Sequence, residues 1–303
     1  MLEASTISTA RIVRVQPRLE YQVMTREAAS QRAADEIMEV ARRGRGTVLT
    51  PGCNTPKLMY QRLFVTGALE LAPLLRGERG DFAMGMIDGV EWQVEHPYSF
   101  PYYFIDRFLA RFALAPLNSI ADPQERAALI EHTYSLFKHV YVPHIPKDAD
   151  PEAKLSALEE FNSWLYQRLP IDLLVLGLGP DGHIAFLGPG TDIKELESPA
   201  CWISLWEGIR NWKWLKSSDE ACECVREGCD IEVDAPESAL TISLSTVISA
   251  RKIILMAFGQ GKAAAVRQLL NGNYRPEQFT AHYLAEVKNK VTVLLDEPAA
   301  SLL

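Results

Sequence analysis

No stretch of the sequence is suited to cross a membrane or to direct secretion. No run approaches the length of about 18 apolar residues that a membrane-spanning helix needs. The first residues, MLEASTISTARIVRVQPRLEYQVMT, lack the apolar core of a signal peptide. We therefore expect a cytoplasmic protein that has no membrane partner.

Basic charge and metal-ligand patterns are also scarce. The 31 Lys and Arg are outnumbered by 39 Asp and Glu, and the formal net charge of -8 disfavours nucleic acid as a partner. Five cysteines at irregular positions form no disulfide framework, and the cluster ACECVREGC matches no zinc-site spacing. His132, His139 and His144 form no metal motif either. We expect reduced thiols and no bound metal.

The sequence has no internal repeat, low-complexity segment or long Gly/Ser- or Pro-rich tract. Of its 303 residues 48% are hydrophobic and 23% are charged, which is typical of a globular protein. The length permits one or two domains. We expect a single α/β domain over residues 1–303, with residues 1–20 as an N-terminal extension and a candidate edge strand.

What the sequence does contain is an alternation of strand and helix patterns. IDLLVLGLG and KIILMAFG read as strands buried on both faces. DPEAKLSALEEFNSWLYQRL reads as an amphipathic helix, with Asp150 as N-cap and Pro151 at its first position. The alternation predicts a doubly wound, mostly parallel α/β sheet of Rossmann-like type, with helices on both faces.

Ligands of such sheets bind beyond the carboxyl ends of the strands. Polar loops are predicted at four of these ends: Thr50–Pro56, Asp88–Trp92, Gly177–Gly190 and Gly259–Lys262. We expect the four loops to converge on one site.

The loop GLGPDGH places Asp181 two residues before His183. A carboxylate beside an imidazole can fix its tautomer and raise its basicity, which suits acid/base catalysis. Alternatively, Asp181 caps the next helix and His183 is a surface residue.

TPGCNTPK joins a predicted strand to a helix, whose N-terminal amides and Thr55 hydroxyl would suit an anion. Lys262, in a Gly-bounded loop, supplies a point charge for a phosphate, or is a solvated surface charge.

At these motifs the chain resembles the family of glucosamine-6-phosphate deaminases and 6-phosphogluconolactonases. GLGPDGHIAF resembles the family signature, and PGCNTP its Gly-Ser-Thr-Pro phosphate loop with one extra residue. EHPYSFPYYF resembles the D-H-P-x-S-Y segment, FGQGKAAAV the G-x-x-K-A loop, and VTVLLDEPAA the C-terminal strand. The segments follow the family's order from about residue 47 to residue 300.

The resemblance implies a sugar-phosphate isomerase/deaminase of the hydrolase class, acting in amino-sugar metabolism without a cofactor. Asp88 would carry a proton between C2 and C1, with Glu91 as a second candidate base or with Asp88 merely capping a turn. His183 would move protons at the ring oxygen, oriented by Asp181. The phosphate ligands it implies are Gly52, Cys53, Asn54, Thr55, Arg226 and Lys262.

Two departures from the family pattern leave the reaction open. Leu187-Gly188-Pro189 replaces the Asn-Glu-Pro whose Glu assists ring opening, and Gly89 replaces a second Glu. Glu195 and Glu197 are candidate substitutes. The alternatives are a 6-phosphogluconolactonase-like hydrolase and a non-catalytic sugar-phosphate sensor. The sequence leaves the oligomeric state open, a homo-oligomer included.

Overall fold

Strands and helices alternate along the chain, as the sequence patterns predict. The computed structural model describes residues 19–52, 55–90, 104–109, 120, 122–146, 148–191, 198–205 and 236–303. The strands are β1 (Glu20–Val23), β2 (Arg45–Thr50), β3 (Asp81–Met86), β4 (Asp88–Val90), β5 (Val140–Tyr141), β6 (Leu173–Gly177), β7 (Ala200–Ser204), β8 (Ser238–Ile242), β9 (Ile253–Ala257) and β10 (Val291–Leu295). The α-helices are α1 (Arg26–Arg42), α2 (Lys57–Leu75), α3 (Pro123–Ser135), α4 (Pro151–Tyr166), α5 (Leu244–Ser249), α6 (Ala263–Asn271) and α7 (Glu297–Ala300). Ile105–Leu109 forms a π turn, and Gln260–Lys262 and Thr280–Lys290 are 3-10 segments.

Seven strands form one central sheet in the order β1-β10-β9-β6-β2-β3-β5. Every neighbouring pair in it is parallel. From β2 the chain moves outward to β3 and β5, and it then returns to β6 on the other side of β2. The strand order therefore reverses between β2 and β6, which is where doubly wound sheets bind their ligands.

Helices cover both faces of this sheet. Successive residues of a strand point to opposite faces, and here the side chains on both faces are apolar and buried. On β2, Val48 belongs to a buried cluster that includes Ile37 of α1 and Leu63 of α2. The next residue, Leu49, belongs to a second cluster that includes Phe161 of α4. The predicted doubly wound α/β architecture is confirmed.

Local signals in the sequence define the helix starts well. Asp150 accepts a hydrogen bond from the Ala153 amide at 2.8 Å, and α4 begins at Pro151, as predicted.

One edge of the central sheet is formed by β1, which pairs with β10 over Glu20–Val23.

A second, antiparallel sheet of three strands, β4-β8-β7, was not expected from the sequence. The loop predicted at Asp88–Trp92 is wrong in its described part, because Asp88–Val90 forms the strand β4 directly after β3. At the break, the Ile87 amide donates to the Thr50 carbonyl (3.1 Å), and the Ile87 carbonyl accepts from the Ile242 amide (2.9 Å). Ile87 thus leaves the large sheet and leads into the small one.

None of the described helices is long and apolar enough to cross a membrane. Within the same described ranges, no three His, Cys, Asp or Glu side chains are grouped as ligands for a metal ion. The cysteine cluster ACECVREGC lies outside them.

Candidate active site

The four chain segments predicted to carry the site leave the central sheet at its carboxyl edge. The strands that precede them, β9, β6, β2 and β3, are consecutive neighbours. Because adjacent strands lie about 4.8 Å apart, the loops start side by side along this edge. The two loops predicted to carry the acid/base pair and the phosphate flank the switch point between β6 and β2.

Asp181 and His183 form a hydrogen-bonded pair in the loop after β6. His183 Nδ1 lies 2.6 Å from Asp181 Oδ1, and the His183 amide donates to the same oxygen at 3.3 Å. An ionised carboxylate only accepts, so Nδ1 carries the ring proton and Nε2 keeps its lone pair. The side chains are 15% and 33% exposed, which leaves the pair accessible to a small molecule. The alternative in which Asp181 caps a helix is wrong, because no helix begins after it within the described residues 182–191.

Gly179 and Gly182 shape the loop around this pair, because neither position has space for a side chain. The Gly182 amide donates to the Gly179 carbonyl (3.0 Å), and the Gly179 amide donates to the His183 carbonyl (2.9 Å). A Cβ on Gly179 would lie 2.1 Å from His183 Nδ1, so only glycine lets the imidazole fold over the turn. Gly182 has φ +87°, and a Cβ there would lie 2.3 Å from the Phe279 ring.

The loop is also held from outside by residues 275–282, here called the buttress, which the sequence analysis missed. The Ala281 amide donates to the Gly182 carbonyl (2.9 Å), and the Thr280 hydroxyl donates to the Gly188 carbonyl (2.9 Å). The Gly190 amide donates to the Glu277 carbonyl (2.9 Å). These bonds join residues about 90 positions apart, so no local pattern could have revealed them.

We expect Gly182→Ala to lower turnover by about 10²-fold, because the added methyl group displaces Phe279 and shifts the loop by roughly 1 Å. Gly44→Ala is the matched control. Gly44 also has a positive φ, +69°, but nothing lies within 4 Å of its Cβ position. Both variants should lose about 1–2 kcal/mol of stability to backbone strain, and Gly182→Ala should lose more because its methyl group displaces the buried Phe279 ring. Steady-state kinetics and urea denaturation separate the effects, and equal turnover in the two variants would contradict this role of Gly182.

Asp88 lies in β4, at 5% exposure, and not in a turn. Its Oδ1 is buried and has no hydrogen-bond partner among the described residues. Burial raises the pKa of Asp88 to about 8. A carboxyl group in this environment is mostly neutral below about pH 8, and once ionised it is a stronger base than an exposed carboxylate.

Thr241 connects Asp88 with the loop of Asp181 and His183. Asp88 and Thr241 are directly opposite in the antiparallel β4–β8 pair, so their side chains share one face, with Cβ atoms about 5 Å apart. The Thr241 hydroxyl accepts a hydrogen bond from the Phe186 amide at 3.2 Å, in the loop that follows His183. The buried carboxyl and the carboxylate–imidazole pair are thereby held at the same edge.

The loop after β2 leads into α2 and contains part of the predicted phosphate site. Gly52 and Thr55 are both buried, while Cys53 and Asn54 lie outside the described residues. The Tyr60 hydroxyl, on α2, lies 2.7 Å from the Pro51 carbonyl and 2.9 Å from Thr50 Oγ1. Tyr60 thus anchors the start of this loop, a role that no sequence pattern indicated.

The loop of Lys262 is fixed by Asp296, which follows β10. The Gly259 amide donates to both carboxylate oxygens of Asp296, each at 2.9 Å. Asp296 also accepts from the Ala299 amide at 2.9 Å and so caps α7. These backbone contacts fix the conformation of the chain just before Lys262. The Lys262 side chain itself is half-buried.

The helices that follow these two loops differ from others in how they begin. Helices α1, α3, α4 and α7 each have a capping Thr or Asp side chain and an acidic residue in the first turn. In the described residues, α2 and α6 have neither, and the short helix α5, which follows no site loop, also lacks both. No carboxylate in the first turn of either helix repels an anion, and within the described part of the chain no side chain occupies the N-terminal amides of α2.

The other predicted site residues lie outside the described residues: Glu91, Glu195, Glu197 and Arg226. Gly89 is described, and a Cβ there would lie 2.9 Å from the Pro143 carbonyl oxygen. Leu187 is fully buried. A Cβ at Gly89 would therefore collide with the backbone, and Gly188, which stands where the resemblance has the ring-opening Glu, is buried.

Residues 122–293, more than half of the chain, match the family described as "Glucosamine-6-phosphate isomerases/6-phosphogluconolactonase". The chain belongs to this family. The glucosamine-6-phosphate deaminase of Bacillus cereus is 34% identical over 169 residues, which are 55% of this chain and 55% of that enzyme. The chain thus spans about half the length of this curated relative.

Solved structures extend the likeness over most of the chain. A monomeric glucosamine-6-phosphate deaminase matches with a TM-score of 0.69 and 25% identity, over 94% of this chain and 100% of that one. The 6-phosphogluconolactonase of Trypanosoma brucei matches with a TM-score of 0.65 and 18% identity, over 94% and 99%. The family predicted from the motifs is confirmed, and both branches of it share the fold.

Proposed function

We propose that the protein converts an amino-sugar 6-phosphate to a ketose phosphate and releases ammonia, as the name of its deaminase relatives describes. The supporting arrangement is the buried carboxyl group of Asp88, whose Oδ1 has no hydrogen-bond partner among the described residues, on a strand whose neighbour β8 also binds the loop of the Asp181–His183 pair. Two acid/base centres in one site suit a reaction that moves protons at two places on one substrate.

Asp88 is the base for the carbon-bound proton. In the open-chain sugar the C1 carbonyl acidifies the C2 proton, which the Asp88 carboxylate removes and returns at C1. The product is a ketose imine, which water hydrolyses to the ketone and ammonia. The substrate's own carbonyl stabilises the developing charge, so the scheme requires neither a metal ion nor a redox cofactor. A pKa of about 8 suits this role, because general bases act best when their pKa lies near the working pH.

His183 moves protons between the ring oxygen and the C1 hydroxyl when the sugar ring opens. The Nε2 lone pair accepts a proton, and the Asp181 carboxylate 2.6 Å from Nδ1 stabilises the imidazolium that forms. Asp181 also sets the tautomer, so it acts through His183.

The phosphate binds between the N-termini of α2 and α6. Gly52, Thr55 and the uncapped amides of α2 donate to its oxygens, and Lys262 adds a positive charge. Cys53, Asn54 and Arg226 complete this set in our proposal, on the basis of the resemblance alone.

Lactone hydrolysis is the second candidate, and one observation favours it. The residues after Phe186 are Leu187, Gly188 and Pro189, so the carboxylate that assists ring opening in the family is missing at its usual position. In a lactonase, His183 would instead activate a water molecule, and the sugar need not open by this route.

The test is to incubate the protein with glucosamine 6-phosphate and to measure ammonia and fructose 6-phosphate. We expect both products in equal amounts, and none from unphosphorylated glucosamine, because the phosphate provides the binding energy. Lys262→Met should raise KM more than it lowers kcat.

The result that would contradict the deaminase proposal is saturable binding of the sugar phosphate without either product. 6-Phosphogluconolactone is then the next substrate. Its hydrolysis would establish the second candidate, and binding without turnover of either compound would identify a sensor.

A further inference from the structure

His282 is a buried histidine to which the proposed reaction assigns no role. It is fully buried, and it lies in the buttress that holds the D-G-H loop. We propose that His282 is a positioning residue for the proposed reaction, which locks the buttress and thereby sets the geometry of the Asp181–His183 pair.

Both ring nitrogens of His282 have backbone partners on different segments. Nδ1 accepts a hydrogen bond from the Arg275 amide at 2.9 Å, and Nε2 donates to the carbonyl of Gln268, on α6, at 3.0 Å. Because Nδ1 accepts, the ring is neutral and carries its proton on Nε2. Burial lowers the pKa of His282, which favours the same neutral form. The ring therefore ties the start of the buttress to the helix that follows the Lys262 loop.

Ring contacts continue from His282 to the D-G-H loop. The centroids of the His282 and Phe279 rings are 4.7 Å apart, and Phe279 fills the space where Gly182 has no side chain. On its other flank the His282 ring stacks on Tyr274 at 6.0 Å, and the Tyr274 hydroxyl donates to Glu286 at 2.6 Å.

The backbone carries the same connection. Next to His282, Ala281 donates its amide to the Gly182 carbonyl, within the turn that places Asp181 and His183 two residues apart. Thr280 donates its hydroxyl to Gly188 on the far side of the loop. A shift of the His282 ring would therefore displace the D-G-H loop through the two hydrogen bonds of Ala281 and Thr280 and through the packing of Phe279 on Gly182. His282 itself does not contact the substrate in this proposal.

Three variants of the full-length protein test this role. His282→Phe keeps the ring packing but removes both hydrogen bonds. His282→Asn restores an acceptor near Nδ1, and His282→Gln restores a donor near Nε2. We expect His282→Phe to lower kcat by about 10- to 100-fold and to change KM by less than about 3-fold. Misplacement of a catalytic group by roughly 1 Å has effects of this size. Asn or Gln should recover part of the loss.

Leu74→Ala is the control for a general loss of stability. Leu74 is buried in α2 and belongs to the core cluster on the α1 and α2 face of the sheet. Activities are compared at a temperature where every variant is fully folded, as judged by circular dichroism. Loss of kcat in Leu74→Ala equal to that in His282→Phe would overturn the proposal.

A second readout does not depend on the reaction. The chain has six histidines, so NMR signals of labelled imidazoles can be assigned by substitution, with His183→Gln identifying His183. We expect the chemical shifts of the His183 signals to change in His282→Phe and to return toward wild type in the rescuing variant. Unchanged His183 signals in folded His282→Phe would overturn the inference. If no sugar phosphate is turned over, the proposed function fails and this readout still decides the role of His282.

Discussion

Asp88→Asn is expected to lower kcat by a factor of roughly 10² to 10⁴ while the protein stays folded. Asn has almost the same shape as the carboxylic acid but cannot accept the C2 proton. Since burial raises the pKa of Asp88 to about 8, the wild-type side chain is mostly neutral at pH 7, and the amide should be tolerated in the same space. Product release under saturating glucosamine 6-phosphate measures the loss.

Asp81→Asn is the matched control for this substitution. Asp81 begins the preceding strand at the opposite edge of the sheet, is 72% exposed, and pairs with Arg168 at 2.6 Å. We expect unchanged turnover and a stability change within about 1 kcal/mol, because exposed ion pairs contribute little. Turnover of Asp88→Asn within about twofold of wild type would exclude Asp88 as the base, and Glu91 would become the candidate.

The pH dependence of the wild-type protein gives an independent check on Asp88. The folded-state pKa of about 8 lies above the ordinary value of 3.8, so the folded state binds more protons than the unfolded state between these values. The contribution of this group to stability is therefore fully present below 3.8 and is lost as the pH rises through about 8. Asp88→Asn lacks this dependence, so it should gain stability relative to wild type between pH 6 and pH 9, as measured by urea denaturation. Over the same range, kcat/KM of the wild type should rise through about pH 8.

His183→Gln is expected to reduce kcat by a similar factor, roughly 10² to 10⁴, because Gln cannot transfer protons at the ring oxygen. Asp181→Asn should have a smaller effect, since it removes the group that orients His183 and stabilises its charged form. The two side chains act as one unit, so the double variant should be hardly worse than His183→Gln alone. Steady-state kinetics on the three variants tests this non-additivity.

His132→Gln is the control for the histidine substitution. His132 is exposed on α3, a helix that supplies none of the proposed site residues. It should leave turnover unchanged. Multiplicative losses in the double variant of Asp181 and His183 would show that the two side chains act separately, and normal turnover in His183→Gln would remove His183 from the mechanism.

The two departures from the family pattern now have structural correlates. Gly89 lies against the backbone of Pro143, so a Glu at this position would require the 143–145 segment to move. Leu187 belongs to the core, and the Gly188 carbonyl is engaged by Thr280. A Glu at position 89 would disturb the packing against Pro143, and Gly188, which stands where the family has the ring-opening Glu, is buried.

Much of this protein follows from its sequence, because the signals concerned are local. The apolar runs of β6 and β9, the cap at Asp150 and the D-G-H turn each depend on residues within a few positions of one another. Their order along the chain was enough to predict a doubly wound sheet and a site at its carboxyl edge.

The tertiary structure alone decided how the parts of that site are held together. Asp88 faces Thr241, Gly259 binds Asp296, and His282 supports the D-G-H loop through contacts between segments that are far apart in the sequence. Such pairings depend on the order of the strands and on the places, such as Ile87, where the chain passes from one sheet to the other. No local sequence pattern encodes either of these. The burial that raises the pKa of Asp88 has the same origin, since a carboxyl group loses its water only when distant segments close over it.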